Sequence, residues 1–326
     1  MDLKDFSTKR LAGIVILCTG GRGDLVNTEP ALRYFVNKAF LHTPVIIVSE
    51  LPELFRHLES ERVTSVSKQE ARESDEDWAH HGILFNNNHQ KGLVRGLNQP
   101  LMHGVDNAAI YLLGYTLPNA DKRVKLPPPS QEEIESFRDK LSRYALVPEE
   151  TLLIHAGDTW QTRTIPVEWW DEFIGAYPYP VCLIGISNPT KEEEARFCNK
   201  GKHVRAVLQL PKVASLVNEL SIRETVVAVS QCWGLITNDS LPVHIAGAFT
   251  NYLFTAATSK HWDNLKPYGH RRSYNFGKEV FGPSWHSKID VVWSFEEFPE
   301  GVDSLLPYLD PPTKVADLVA SKYEGL

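Results

Sequence analysis

Residues 13–19 (GIVILCT) form an unbroken apolar run that stops at Gly20-Gly21-Arg22-Gly23-Asp24. Helical spacing then puts Ala31, Leu32, Phe35 and Val36 on one side, with Pro30 expected in the first turn. A second apolar run follows at 44–48 (PVIIV). Buried strand, glycine-rich turn, amphipathic helix and buried strand together predict a βαβ unit with a parallel sheet. Residues 50–75 are charged and predict a covering helix. Residues 78–102 are rich in His, Asn and Gly and read as loop, and 107–116 read as helix. Three consecutive prolines at 127–129 favour an extended connector, which places a boundary between 1–126 and 127–326.

The alternation restarts after the prolines. Ser130 with Glu133 predicts a capping box opening a helix over 131–145. Strands are expected at 152–154, 181–186, 234–237 and 251–255, the last closing the series. Helices are expected at 167–176, 190–199, 213–220 and 243–246, while 225–229 (TVVAV) fits either state. Two α/β units in series predict an α/β chain of two Rossmann-like domains facing across a cleft, with the last helix able to pack back on the first domain. Ligands of such open parallel sheets bind at strand carboxyl ends.

The 326 residues exceed the roughly 250–300 at which single cores split, in keeping with two domains. A net charge of −7 argues against a general nucleic-acid coat, though one local basic groove is compatible with it. Cys18, Cys182, Cys198 and Cys232 form no CxxC pair and read as buried thiols of a reducing compartment. The first apolar run is too short for a signal peptide, and none approaches the ~20 residues of a membrane span. A cytoplasmic protein with no membrane span is the expectation.

Three strings can carry chemistry. In the first, Asp24 follows a strand and a glycine-rich turn, where a carboxylate can act as general base or simply cap the helix. The string lacks GxGxxG and the P-loop lysine, which disfavours a dinucleotide oxidoreductase. In the second, a strand ends at His155, Gly157 follows, and Arg163 precedes a helix, placed either to grip a phosphate or to sit at the surface. In the third, Thr237-Asn238-Asp239-Ser240 turns into a helix carrying His244. Its N-terminus can attract an anion, with Ser240 and His244 bonding a diphosphate and Asp239 a sugar hydroxyl. Spacing alone favours a capped helix with a core histidine.

His80, His81, His89 and His103 match no metal-ligand spacing, so no metal is expected. His261 and Lys266, in the basic stretch 260–272, and Arg22 are candidate acceptor or phosphate contacts.

The third string, TNDSLPVHIAGAF, resembles the TNDSGPMHIAAAL signature of the heptosyltransferases, glycosyltransferase family nine. HAGDTWQTRTIPVEWWDEFI is similar to that family's H-x-G…K-x-W-P-x-E-x-W stretch. GIVILCTGGRGDLVNTEPALRYF resembles its first strand, Gly-Asp and Pro-Ala-Leu helix. The resemblance implies a GT-B fold and an inverting, metal-independent transfer from a nucleotide-diphosphate sugar, with no cofactor besides that co-substrate. It implies Asp24 as general base, Arg163 in place of a lysine near the donor phosphates, and Asp239, Ser240 and His244 as donor loop. His155 and Gly157 fall in the second motif. Ile165 replaces a tryptophan and Leu241 a glycine, so the reaction class carries over and the substrate does not. The expected acceptor is a hydroxyl of a glycolipid core or another large molecule. The alternatives are transfer to hydroxymethylated DNA, with nucleic acid as partner, and a non-catalytic nucleotide-sugar-binding protein.

Overall fold

The computed structural model describes residues 13–19, 21–73, 82–86, 103–157, 161–188, 201–259, 261–280, 298 and 301–326. Predictions at His80, His81, His89, Cys198 and the helix 190–199 lie outside them. The chain divides into two compact units, Met1–Pro128 and Pro129–Leu326, parted within the three prolines.

The first unit holds β1 (Ile14–Thr19), α1 (Arg22–Tyr34), β2 (Val45–Ser49), β3 (Val63–Ser67), α2 (Lys68–Glu73), β4 (Gly82–Asn86) and α3 (Gly104–Leu113). Its sheet is parallel, in the order β3-β2-β1-β4. Three expectations need correction. Residues 82–86, inside the stretch 78–102 read as loop, form strand β4 paired with β1. Pro30 lies inside α1, not in its first turn, because the helix already starts at Arg22; it deprives the helix of one backbone bond. Residues 50–75 are not one helix but two 3₁₀ turns (Pro52–Leu54, Arg56–Leu58), β3 and the short α2. Leu54, Phe55 and Leu58 are buried at helical spacing, which imitates a longer helix. The fully buried Glu29 of α1 accepts from Arg33 Nε (2.8 Å), His57 Nε2 (3.0 Å) and the Lys125 N–H (2.8 Å). Arg33 also donates to the Asp121 and Arg123 carbonyls, so a satisfied buried carboxylate ties the approach to the prolines onto α1.

The second unit holds α4 (Gln131–Ser142), β5 (Leu152–His155), α5 (Val167–Ala176), β6 (Val181–Ile184), α6 (Lys202–Leu208), β7 (Val213–Ser215), α7 (Ile222–Gln231), β8 (Gly234–Asn238), α8 (Leu241–Ala246), β9 (Tyr252–Ala256), α9 (Trp262–Leu265), β10 (Ser273–Asn275) and α10 (Pro312–Tyr323). Its parallel sheet runs β7-β6-β5-β8-β9-β10, the doubly wound order in which the connection reverses between β5 and β8. Residues 213–220 begin with edge strand β7, not a helix, and β10 adds an edge beyond the expected last strand. Both edges are three residues long, which limits the unpaired backbone they expose. Residues 225–229 are helical: Ser221 and Glu224 exchange bonds of 3.1 and 2.8 Å, and that capping box starts α7.

Trp169, Trp170, Phe173 and Ile174 bury one side of α5, and Trp169 Nε1 donates to the Asp310 carbonyl ahead of α10 (2.9 Å). The last helix thus packs against α5 of its own unit. Cys18, Cys182 and Cys232 are buried free thiols, and burial pushes Cys18 and Cys182 up to about 12. Such thiols are inert.

Candidate active site

The β5–β8 reversal in the second unit is where an open parallel sheet leaves a crevice at its carboxyl edge. Strand register lines up His155 with Thr237, Thr237 with Thr255 and Thr255 with Asn275. Paired residues project to the same face, so a polar row crosses the carboxyl ends of four strands. His155 Nδ1 lies 3.1 Å from Ser240 Oγ and 3.2 Å from Thr237 Oγ1, and the two hydroxyls are 3.1 Å apart. Burial drives the imidazole down to about 4, against smaller raising contributions from the Asn238 side chain and the backbone. His155 is therefore neutral at pH 7 and contributes hydrogen bonds, not charge.

Gly157 and Gly185 make room for this ring. A Cβ on Gly157 would stand 2.8 Å from His155 Cε1 and 3.0 Å from Asn238 Oδ1, and Gly185, at φ +136°, closes β6 beside the other ring edge. Asn238 Nδ2 donates to the carbonyls of Gly157 (2.9 Å) and Arg163 (2.8 Å). Arg163 Nη1 reaches the Asp239 carbonyl at 3.2 Å and its carboxylate at 3.3 Å. Asp239 is buried, and its Oδ2 also accepts from Ser259 Oγ (3.1 Å). In this structure the carboxylate braces Arg163 and Ser259.

The structure thus brings His155, Gly157, Arg163, Asp239 and Ser240 into one network. His244 is buried within α8. That helix has only six residues, with a proline in its first turn, so few aligned peptide dipoles stand behind the turn. Arg163 is the cationic side chain of this network. His261 and Lys266 flank α9 and are exposed; the His261 ring accepts from the Asp263 N–H at 3.3 Å. Sequence reasoning assigned no role to Asn238, Thr237 or Ser259. Polar residues at or next to the end of each apolar run (LLIH, GLITN, YLFTA) were the available signal for the first two.

In the first unit, the corresponding reversal lies between β1 and β4. Asp24 is the third residue of α1, which starts directly beyond β1, and its Oδ2 accepts from the Gly21 N–H at 3.1 Å. The helix-cap reading is therefore realised, at the same edge where a ligand of this sheet would bind. Arg22 is exposed in the first turn. Among the described residues no cluster of three or more metal-ligating side chains occurs, and no helix is long and apolar enough to cross a membrane.

No protein-family model and no curated protein matches the sequence. Solved structures do. The glycosyl transferase family 9 protein from Veillonella parvula matches with TM-score 0.65 and 14% identity over 97% of this chain and 98% of its own. The chain has the fold of that glycosyltransferase.

The ADP-heptose lipopolysaccharide heptosyltransferase II of E. coli matches at TM-score 0.59 and 14% identity, covering 96% of this chain and 99% of its own. E. coli heptosyltransferase WaaC, solved with ADP, gives 0.51 and 14% over 94% and 99%. The fold implied by the sequence motifs is the fold found. Ile165, where the signature has tryptophan, is 1% exposed and belongs to the hydrophobic core.

Proposed function

We propose that this protein is a glycosyltransferase whose donor is a nucleotide-diphosphate sugar and whose acceptor is a hydroxyl of a large molecule such as a glycolipid core. One observation carries the reading. The network of His155, Arg163, Asp239 and Ser240 sits at the carboxyl-edge reversal of the second sheet, in a chain with the fold of enzymes that include one solved with ADP. Fold alone hosts many chemistries, so the reading rests on these side chains.

In this reading Arg163 meets the negative charge that develops on the leaving diphosphate, aided by the Ser240 hydroxyl. Asp24 takes the proton of the acceptor hydroxyl. The freed oxygen attacks the anomeric carbon from the face opposite the diphosphate, the bond from that carbon to the diphosphate breaks, and the configuration inverts. A guanidinium meets the charge that a metal ion otherwise would, so transfer is expected to persist in chelator.

A melting-temperature screen against nucleoside diphosphates and their sugars tests the donor site, since a bound donor raises the melting temperature by mass action. Consumption of the stabilising donor, with and without EDTA and with lipid-linked or hydroxymethylated-DNA acceptors, tests the reaction. A nucleotide sugar that stabilises the protein yet is consumed neither alone nor with any of these acceptors would support the non-catalytic alternative; stabilisation by none would remove the donor site.

A further inference from the structure

We propose that Asn238 is a positioning residue for Arg163 and, through it, for the donor diphosphate; the inference rests on the donor site argued above. Asn238 closes β8 and is 3% exposed. Its Nδ2 donates to the carbonyls of Gly157 and Arg163, which belong to separate turns. The amide orientation is forced, because the reverse would set Oδ1 against two carbonyl oxygens. Oδ1 makes no well-aligned hydrogen bond; it is buried against Gly157 and faces the His155 ring, whose charged form it favours. Both N–H groups of the side chain are committed to holding backbone, so its geometry is set by the two turns it joins.

The consequence falls on the arginine. Asn238 holds its carbonyl, and Asp239, the next residue in β8's exit, holds its guanidinium. Ser259 braces the Asp239 carboxylate, and Thr258 Oγ1 donates to the Thr162 carbonyl just before Arg163 (2.6 Å). A long, flexible cation is thereby fixed at both ends. It then loses little freedom when an anion arrives, which is how preorganisation raises affinity.

A double-mutant cycle on the full chain tests this, with ADP as probe and calorimetry as readout. Asn238→Ala weakens ADP binding about tenfold beside Arg163 and less than about twofold in the Arg163→Ala background. Asn238→Leu, of similar shape, uncharged and with no N–H to give, carries the same expectation should the alanine variant not fold. Melting temperatures of all four proteins separate the two roles: a merely structural asparagine lowers stability and ADP affinity equally in both backgrounds, and that result would overturn the proposal. A parent that binds ADP with no coupling between the two residues overturns this inference alone. A parent that binds no nucleoside diphosphate removes the donor site and the inference together.

Discussion

Two helices begin with an acid at the same place and put it to different uses. Asp24 in α1 and Glu133 in α4 are each the third helical residue, and each accepts from the N–H of its N-cap, at 3.1 and 2.8 Å. At α4 the arrangement is closed. Ser130 Oγ accepts in turn from the Glu133 N–H, and Arg223 grips the carboxylate with two bonds of 2.7 Å. That guanidinium, with burial opposing it, holds Glu133 down at about 2. At α1 the N-cap is Gly21, which has no side chain to reciprocate, and the helix starts at the carboxyl edge of a parallel sheet. The same local rule therefore yields a structural carboxylate in one region and a candidate base in the other. The lesson is that a capping pattern says where a helix starts and leaves open what its acid does.

The largest effect that would sharpen this contrast is on chemistry. Asp24→Asn is expected to lower the transfer rate by about 10²–10⁴-fold, the usual worth of a general base, while ADP affinity stays within about twofold. Single-turnover transfer beside calorimetry checks it; undiminished transfer would make Asp24 a cap and nothing more. Next, Arg163→Ala should weaken ADP binding roughly 10- to 100-fold, from the loss of charge-assisted bonds of about 1.5–3 kcal/mol. Arg223→Ala should leave ADP binding unchanged and lower stability, and denaturant titration alongside calorimetry distinguishes the two arginines.

Smaller effects concern stability. Glu133→Ala should cost about 1 kcal/mol as a lost cap. Because the folded carboxyl is depressed from 4.5 to about 2, its contribution is full above pH 4.5 and fades as pH falls toward 2. His155 is also depressed, from 6.5 to about 4, so the unfolded chain takes up its proton first. Stability from that site is intact above pH 6.5 and is lost as pH falls toward 4. A melting curve of His155→Asn lacking that part of the acid slope would agree; an unchanged slope would not.

Much of the fold was legible because its strands are continuous apolar runs between turns, as central parallel strands must be. β7 was not, since Val213-Ala214-Ser215 is a half-buried edge with no run to detect. The 50–75 stretch misled because buried Leu54, Phe55 and Leu58 keep a helical spacing across two 3₁₀ turns. At α7 the signal was present in Ser221 and Glu224, and the β-branched residues that follow obscured it. Within the site, His155, Arg163 and Ser240 stood out as polar residues at strand ends or beside turns. The neutrality of His155 follows from burial, and the clamp by Asn238 depends on two carbonyls about eighty positions away in sequence. Tertiary facts of that kind leave no local trace.

Hydrogen exchange of the intact chain, with and without saturating ADP, tests the central claim most directly. The account predicts slowed exchange at 152–157, 161–163 and 234–244, with β2 and β3 unchanged. Protection confined to the first unit, or no protection anywhere with ADP bound, would contradict it.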